Sequence, residues 1–167
     1  GARGAVLVLV GRLERVALPR DLVELAEVAR GDQLLQVAQR GHQLFATIAM
    51  PAGLVGDIHA DESIELSAIR ELEEETGWTA ELAQVLMIGP TSSGMASEKI
   101  AFVRATGLTR IGDGGGDGDE DITVHEIPRT QAAAWLVQKM AEGYELDAKL
   151  WAGLWMIDHH LDGTPRG

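Results

Sequence analysis

The first third of the chain carries its apolar side chains in short runs separated by Gly, Pro and polar residues. "AVLVLV" (Ala5 to Val10) is a six-residue apolar block and "LERVAL" (Leu13 to Leu18) roughly alternates. "QLLQVAQ" (Gln33 to Gln39) and "LFATIAM" (Leu44 to Met50) follow. Runs of this length and composition predict strands. "DLVELAEVA" (Asp21 to Ala29) fits a strand or a short helix equally. "MPAGLVGD" (Met50 to Asp57), with its proline and two glycines, predicts a loop.

At Ser63 the period changes. Ile64, Ala68, Ile69 and Leu72 recur at helical spacing, with Asp61 or Ser63 available as N-cap and Gly77 as the C-terminal stop. Strand patterns return at "AQVLMIG" (Ala83 to Gly89), "KIAFVRA" (Lys99 to Ala105) and "ITVHEI" (Ile122 to Ile127). Two helical stretches close the chain, near Arg129 to Glu142 and Asp147 to His160. Strands, one helix, more strands and then helices predict an α/β fold, an α/β/α sandwich around a mixed sheet.

The 167 residues, 46% hydrophobic, suit one domain with an ordinary core, taken as 1–167. A net charge of -12 with no basic run longer than two residues argues against a nucleic acid polymer as partner. It leaves a small phosphate ester open, because metal ions can bridge acids to phosphates. The absence of cysteine removes disulfides and thiolate metal sites. "AVLVLV" is far shorter than the roughly 20 residues that cross a bilayer, and it does not resemble a signal peptide. No membrane association and a cytoplasmic location are therefore expected.

The acids of "RELEEETGW" (Arg70 to Trp78) change the picture. Glu71, Glu74 and Glu75 stand at i, i+3 and i+4, so they share a helical face, while Glu73 points elsewhere. Like charges so spaced cost about 0.2–0.5 kcal/mol per pair, so something should compensate them. Arg70 is placed to pair with Glu74. Three convergent carboxylates also suit a hard divalent cation such as Mg²⁺, with Mn²⁺ as a substitute. The plain alternative is a solvated acidic face.

The surrounding spacing decides between them. Gly56, five residues, Glu62, seven residues, Arg70-Glu71-Leu72, one residue, Glu74-Glu75, one residue and Gly77-Trp78 together resemble the Nudix hydrolase signature. Seven of these positions, the glycines, glutamates and arginine, coincide by chance at average usage about once in ten million start points or less often. The resemblance implies a strand–loop–helix metal site that hydrolyses a nucleoside diphosphate linked to another moiety. Glu71, Glu74 and Glu75 then correspond to metal ligands, and Arg70 to their orienting partner. Many members read Pro-Ala-Gly where that glycine opens the signature, yet here Gly53 lies nine residues before Glu62 rather than six. Either Gly56 takes the role or the loop carries three extra residues; the second reading is favoured, and it makes the Ala52 carbonyl a metal ligand in place of that of Val55.

From about Gln33 to His160 the flanks resemble the ADP-ribose and nucleoside diphosphate sugar pyrophosphatase branch. "PTSSGMASEK" (Pro90 to Lys99) is similar to that branch's proline-containing loop and brings Glu98. Glu98 is a candidate for catalysis or substrate binding, with a plain strand-edge acid as the alternative. A loop after the helix supplies a further acid in this branch. Glu120, in the glycine-rich "GDGGGDGDED" (Gly112 to Asp121), is the first candidate for base and extra metal ligand, with Asp119 second. The loop's five glycines predict mobility. Arg40 is a candidate phosphate or carbohydrate contact, with a plain surface arginine as the equal alternative. Trp151 and Trp155 at i,i+4 predict a stripe used in the core or a dimer, Trp78 predicts core, and His159 and His160 predict helical neighbours pointing apart.

The resemblance further implies a homodimer that exchanges an N-terminal sheet, a segment this chain, starting at Gly1, is expected to lack. It also implies a nucleotide-sugar substrate, cleaved to NMP and a sugar phosphate. Rival readings are a Nudix hydrolase of dinucleoside polyphosphates, coenzyme A or nucleoside triphosphates, or a non-catalytic ligand sensor.

Overall fold

A computed structural model of the chain describes residues 5–12, 34–40, 47–55, 62–95, 97–116 and 122–166, the first two segments as backbone. The strand reading of Leu13 to Leu18 and the ambiguous Asp21 to Ala29 fall outside these residues, as do Gly56, Asp119 and Glu120.

Ten strands and three helices are formed by the described residues: β1 (Ala5–Arg12), β2 (Leu34–Arg40), β3 (Thr47–Ala49), β4 (Ala52–Leu54), α1 (Ile64–Thr76), β5 (Trp78–Thr79), β6 (Leu82–Pro90), β7 (Lys99–Thr106), β8 (Thr109–Arg110), β9 (Ile122–Pro128), α2 (Arg129–Ala141), β10 (Glu145–Leu146) and α3 (Lys149–Asp158). They build two mixed four-stranded sheets, β4-β1-β7-β6 and β10-β3-β2-β9, and a β5-β8 ribbon. The expected α/β architecture is present, with two sheets where one was read.

The side-chain alternation of β7 explains the layering. Ala101, Val103 and Ala105 pack with Ala68 and Leu72 of α1 and with Trp78. Phe102, on the opposite face, packs with Ile48, Met50, Ala132, Leu136, Leu150, Leu154 and Ile157. Period-2 alternation thus buries both faces of one strand under different helices. That is the α/β/α arrangement. The second cluster also joins the two sheets, since Ile48 belongs to β3 and Phe102 to β7.

One predicted loop is a strand. Ala52, Gly53 and Leu54 pair in parallel with Leu9, Val10 and Gly11 of β1. The turn chemistry of "MPAGLVGD" was outweighed by ladder hydrogen bonds available only from a segment some forty residues away. The two-residue strands β5, β8 and β10 were likewise invisible to periodicity, being too short to show one.

Trp151 and Trp155 do not enter the core. They are exposed, while Leu150, Leu154, Met156 and Ile157 face inward. His159 is not helical but follows α3 in extended conformation, and its ring stacks on Trp155 at 5.1 Å.

Where α2 covers β9, the His125 ring meets Trp135 at 5.3 Å between centroids. Burial, helped by the charge of Lys139, lowers the His125 pKa below its ordinary value. The unfolded chain therefore takes up this proton at a higher pH than the folded chain does. The stability involved is complete above about pH 6.5 and is lost as the pH falls below it. Melting temperatures measured from pH 7.5 down to about pH 5.5 should fall less steeply in His125→Gln than in the parent. Equal slopes would discount the ring's role.

Candidate active site

Helix α1 starts and stops where the sequence indicates. The Ser63 side chain accepts a hydrogen bond from the Leu66 amide at 3.2 Å, the usual N-cap arrangement. Gly77 ends the helix at φ 72°, a left-handed conformation that glycine adopts without a Cβ penalty. Leu72 and Ala68 anchor the inner face. The buried Ser67 hydroxyl donates to the Leu54 carbonyl at 3.3 Å and ties the helix to the end of β4.

This packing brings the predicted acids to different environments. Glu75 is 2% exposed. The Glu71 side chain is 12% exposed, whereas that of Glu74 is 45% exposed. Enclosing carboxylates without compensation is costly, and Arg70 supplies much of what is needed. Its Nη1 lies 2.7 Å from Glu71 Oε1 and 3.1 Å from Glu74 Oε2. Its Nε and Nη2 donate to the two oxygens of Glu62, each at 3.3 Å. One guanidinium thus joins three acids. Burial opposes its charge, but the hydrogen bond to Glu62 and the fields of Glu71, Glu62 and Glu74 outweigh this and raise its pKa. The sequence reading paired Arg70 with Glu74 and gave Glu62 only a place in the loop. Glu62 precedes the Ser63 cap and lies outside the helix, so no helical spacing linked it to Arg70.

With the acids drawn onto Arg70, no group of three or more His, Asp or Glu side chains converges at metal-holding spacing among the described residues. The donor chemistry nevertheless fits a hard divalent cation, since Glu71 and Glu75 are enclosed carboxylates one turn apart. The approach of the backbone fits as well. A Cβ built on Gly53 would lie 1.8 Å from Glu71 Cδ and 1.9 Å from its Oε1. The strand that contains Ala52 and Gly53 therefore runs directly against the Glu71 carboxylate, and only glycine permits it. Gly56 lies outside the described residues.

The remaining candidates are placed by strand register. Leu54 of β4 aligns with Gly11 of β1, and Gly11 with Ile100 of β7. Half-buried Glu98, two residues before Ile100, thus sits at the same end of the sheet as Leu54. Arg40, the last residue of β2, pairs with Ile122, the first residue of β9 and the second after Glu120. Glu120 itself is not among the described residues.

Residues 112–116 of the glycine-rich stretch make backbone contacts that the sequence did not indicate. Gly114, Gly115 and Gly116 all have positive φ, and this freedom is used to lie along the end of α1. The Gly115 and Gly116 amides donate to the Glu75 and Glu74 carbonyls at 2.7 and 3.1 Å. The Ile111 and Gly112 amides donate to the Gly77 carbonyl at 2.7 and 3.0 Å. A Cβ on Gly77 would meet the Gly112 carbonyl oxygen at 2.3 Å, so glycine is required for the two backbones to approach this closely. Trp78, buried as expected, also donates its indole N–H to Glu126 on β9 at 3.2 Å. No periodicity could have indicated that last contact.

Comparison with known proteins agrees with this geometry. The model of the NUDIX domain matches residues 23–145. The chain is 30% identical over 119 residues to a methanol dehydrogenase activator of Bacillus methanolicus, a match covering 70% of this chain and 63% of that relative. It is 39% identical over 85 residues to an ADP-ribose pyrophosphatase of Mycobacterium tuberculosis, covering 50% of this chain and 40% of that relative. The chain thus spans less than two thirds of the length of either. The helix bearing Glu71, Glu74 and Glu75, the arginine that gathers its acids and the match over most of the sequence agree: the chain belongs to the Nudix domain family.

Proposed function

We propose that the chain hydrolyses the pyrophosphate bond of ADP-ribose or a related nucleoside diphosphate sugar, yielding NMP and a sugar phosphate. The observation that carries this reading is the pair of enclosed carboxylates one helical turn apart, Glu71 and Glu75, with Glu71 set against the glycine strand end and held by Arg70. The substrate class is supported by the relative described as an ADP-ribose pyrophosphatase.

Nudix hydrolases generally use divalent metal ions. Glu71, Glu74 and Glu75, with the Ala52 carbonyl, would hold Mg²⁺ or Mn²⁺, which would offset charge on the phosphate oxygens and acidify an attacking water. Arg70 orients Glu71 and Glu74. Glu120 would take the proton from water and would supply a further metal ligand, with Glu98 as the rival base at the same sheet end as Leu54. Arg40 contacts a phosphate and offsets negative charge as it develops. A homodimer belongs to this proposal, and the exposed Trp151 and Trp155 support it as apolar surface outside the core. Among the described residues no helix is long and apolar enough to cross a membrane.

The test is an activity screen over nucleotide sugars, dinucleoside polyphosphates, coenzyme A and nucleoside triphosphates with Mg²⁺ or Mn²⁺. Products are identified by chromatography, with Glu120→Gln and Glu98→Gln run alongside. ADP-ribose or another nucleoside diphosphate sugar should give the highest kcat/KM, and Glu120→Gln should lower kcat with little change in KM. A clear preference for a triphosphate would refute the substrate class. A silent Glu120→Gln beside an impaired Glu98→Gln would move the base to Glu98.

A further inference from the structure

The end of α1 presents an electrostatic difficulty that its own sequence does not resolve. The C-terminal carbonyls of a helix lack intrahelical partners and carry partial negative charge. Here that turn also bears Glu73, Glu74 and Glu75, and it contains no basic residue. The helix's own cap supplies one donor, and a distant segment supplies two more through its backbone. Gly77 N–H serves the Glu73 carbonyl at 2.9 Å, Gly116 N–H the Glu74 carbonyl at 3.1 Å and Gly115 N–H the Glu75 carbonyl at 2.7 Å. The Thr76 hydroxyl adds a bond of 2.5 Å to the Leu72 carbonyl. Amide dipoles thus point into the end of the helix where a lysine or arginine would otherwise be useful.

Glycine is needed for this contact. Gly114 has φ 68°, and a Cβ there would lie 2.4 Å from the Glu75 carbonyl oxygen. Gly115 has φ 109° with open space around its Cβ position. Any side chain at Gly114 would push the strap off the helix, whereas at Gly115 only the backbone conformation would be strained.

We propose that Gly115 and Gly116 are positioning residues for the metal site: their amides fix the last turn of α1 so that Glu74 and Glu75 are held ready for a divalent cation. This rests on the reading of Glu75 as a metal ligand. The acids bind the cation through their side chains, and the strap acts on the same residues through their carbonyls. Groups that hydrogen-bond a metal ligand directly typically change metal affinity by about 10–100-fold when removed, and a strap acting through the ligands' backbone is assigned the low end of that range.

The experiment separates positioning from general stability by means of a matched glycine. Gly143, in the turn after α2, has φ 98° and likewise nothing within 4 Å of its Cβ position. Gly115→Ala and Gly143→Ala should therefore lose similar amounts of thermal stability through backbone strain. Mn²⁺ affinity, titrated with the metal alone, should weaken about tenfold in Gly115→Ala and stay within about twofold of the parent in Gly143→Ala. Equal Mn²⁺ affinities in the two variants overturn the proposal. Glu75→Gln serves as the third arm. If it weakens Mn²⁺ binding and Gly115→Ala does not, the positioning role falls and the metal reading stands. If Glu75→Gln changes nothing, both fall. In the unaltered chain, Mg²⁺ should slow exchange of the Gly115 and Gly116 amide hydrogens, because coupling between two sites is reciprocal. Unchanged exchange on Mg²⁺ binding would also count against the proposal, without depending on any variant's folding.

Discussion

Glu75→Gln is expected to lower kcat by at least about a hundredfold while the fold persists. Glutamine keeps the size and shape of the side chain, so the packing around this 2%-exposed position stays filled. What is lost is the charge, and with it most of the affinity of a carboxylate oxygen for a hard dication. Neutralising an enclosed acid also removes a desolvation cost, which offsets the interactions the carboxylate makes in the native chain. Turnover and thermal melting should be measured together, with and without Mg²⁺. The metal should raise the melting temperature of the parent, because it binds the native state, and this rise should be blunted in the variant. Activity within a few-fold of the parent would remove Glu75 from the site.

Gly53→Ala should produce the second large loss, roughly tenfold or more in kcat, with little change in melting temperature. The new methyl would overlap Glu71 Cγ, Cδ and Oε1, all within 2.0 Å of it. These atoms belong to the movable end of a side chain, so the clash is relieved by swinging the carboxylate away rather than by unfolding. Stability is therefore largely spared, but Glu71 leaves the strand end and its bond geometry with Arg70. Gly56→Ala is the informative comparison. Full activity in Gly53→Ala together with a loss in Gly56→Ala would give the signature glycine role to Gly56 and refute the three-residue insertion.

The acid helix was legible because its information is local. The Ser63 cap, the Ile64, Ala68 and Leu72 periodicity and the Gly77 stop lie within fifteen residues, and each acts through its immediate neighbours. The strands at 83–89, 99–105 and 122–127 were recognisable for the same reason, with ends shifted by a residue or two. The family followed from the fixed spacing of Glu62, Arg70, Glu71, Glu74, Glu75 and Gly77, which a short local stretch carries whole.

What depended on tertiary structure was every relation between distant segments. Gly53 is a turn signal in isolation and becomes a strand residue only because β1 offers a ladder. Its glycine identity acquires a reason only once Glu71 is packed against it. Arg70 had one expected partner and has three, because the direction of a long side chain is set by what encloses it. Trp151 and Trp155 are spaced like core residues, yet solvent faces them, since helical period specifies that a face exists but not what covers it. The glycines at 114–116 suggested freedom, and their positive φ values instead let the backbone cap a helix about forty residues earlier. Sequence alone therefore determined the longer elements, the family and the shared helical face of Glu71, Glu74 and Glu75, because short-range geometry encodes them. Which carboxylates are enclosed, what compensates their charge and what holds the last turn of α1 were decided by long-range packing, because burial and hydrogen bonding between segments exist only after the chain has folded.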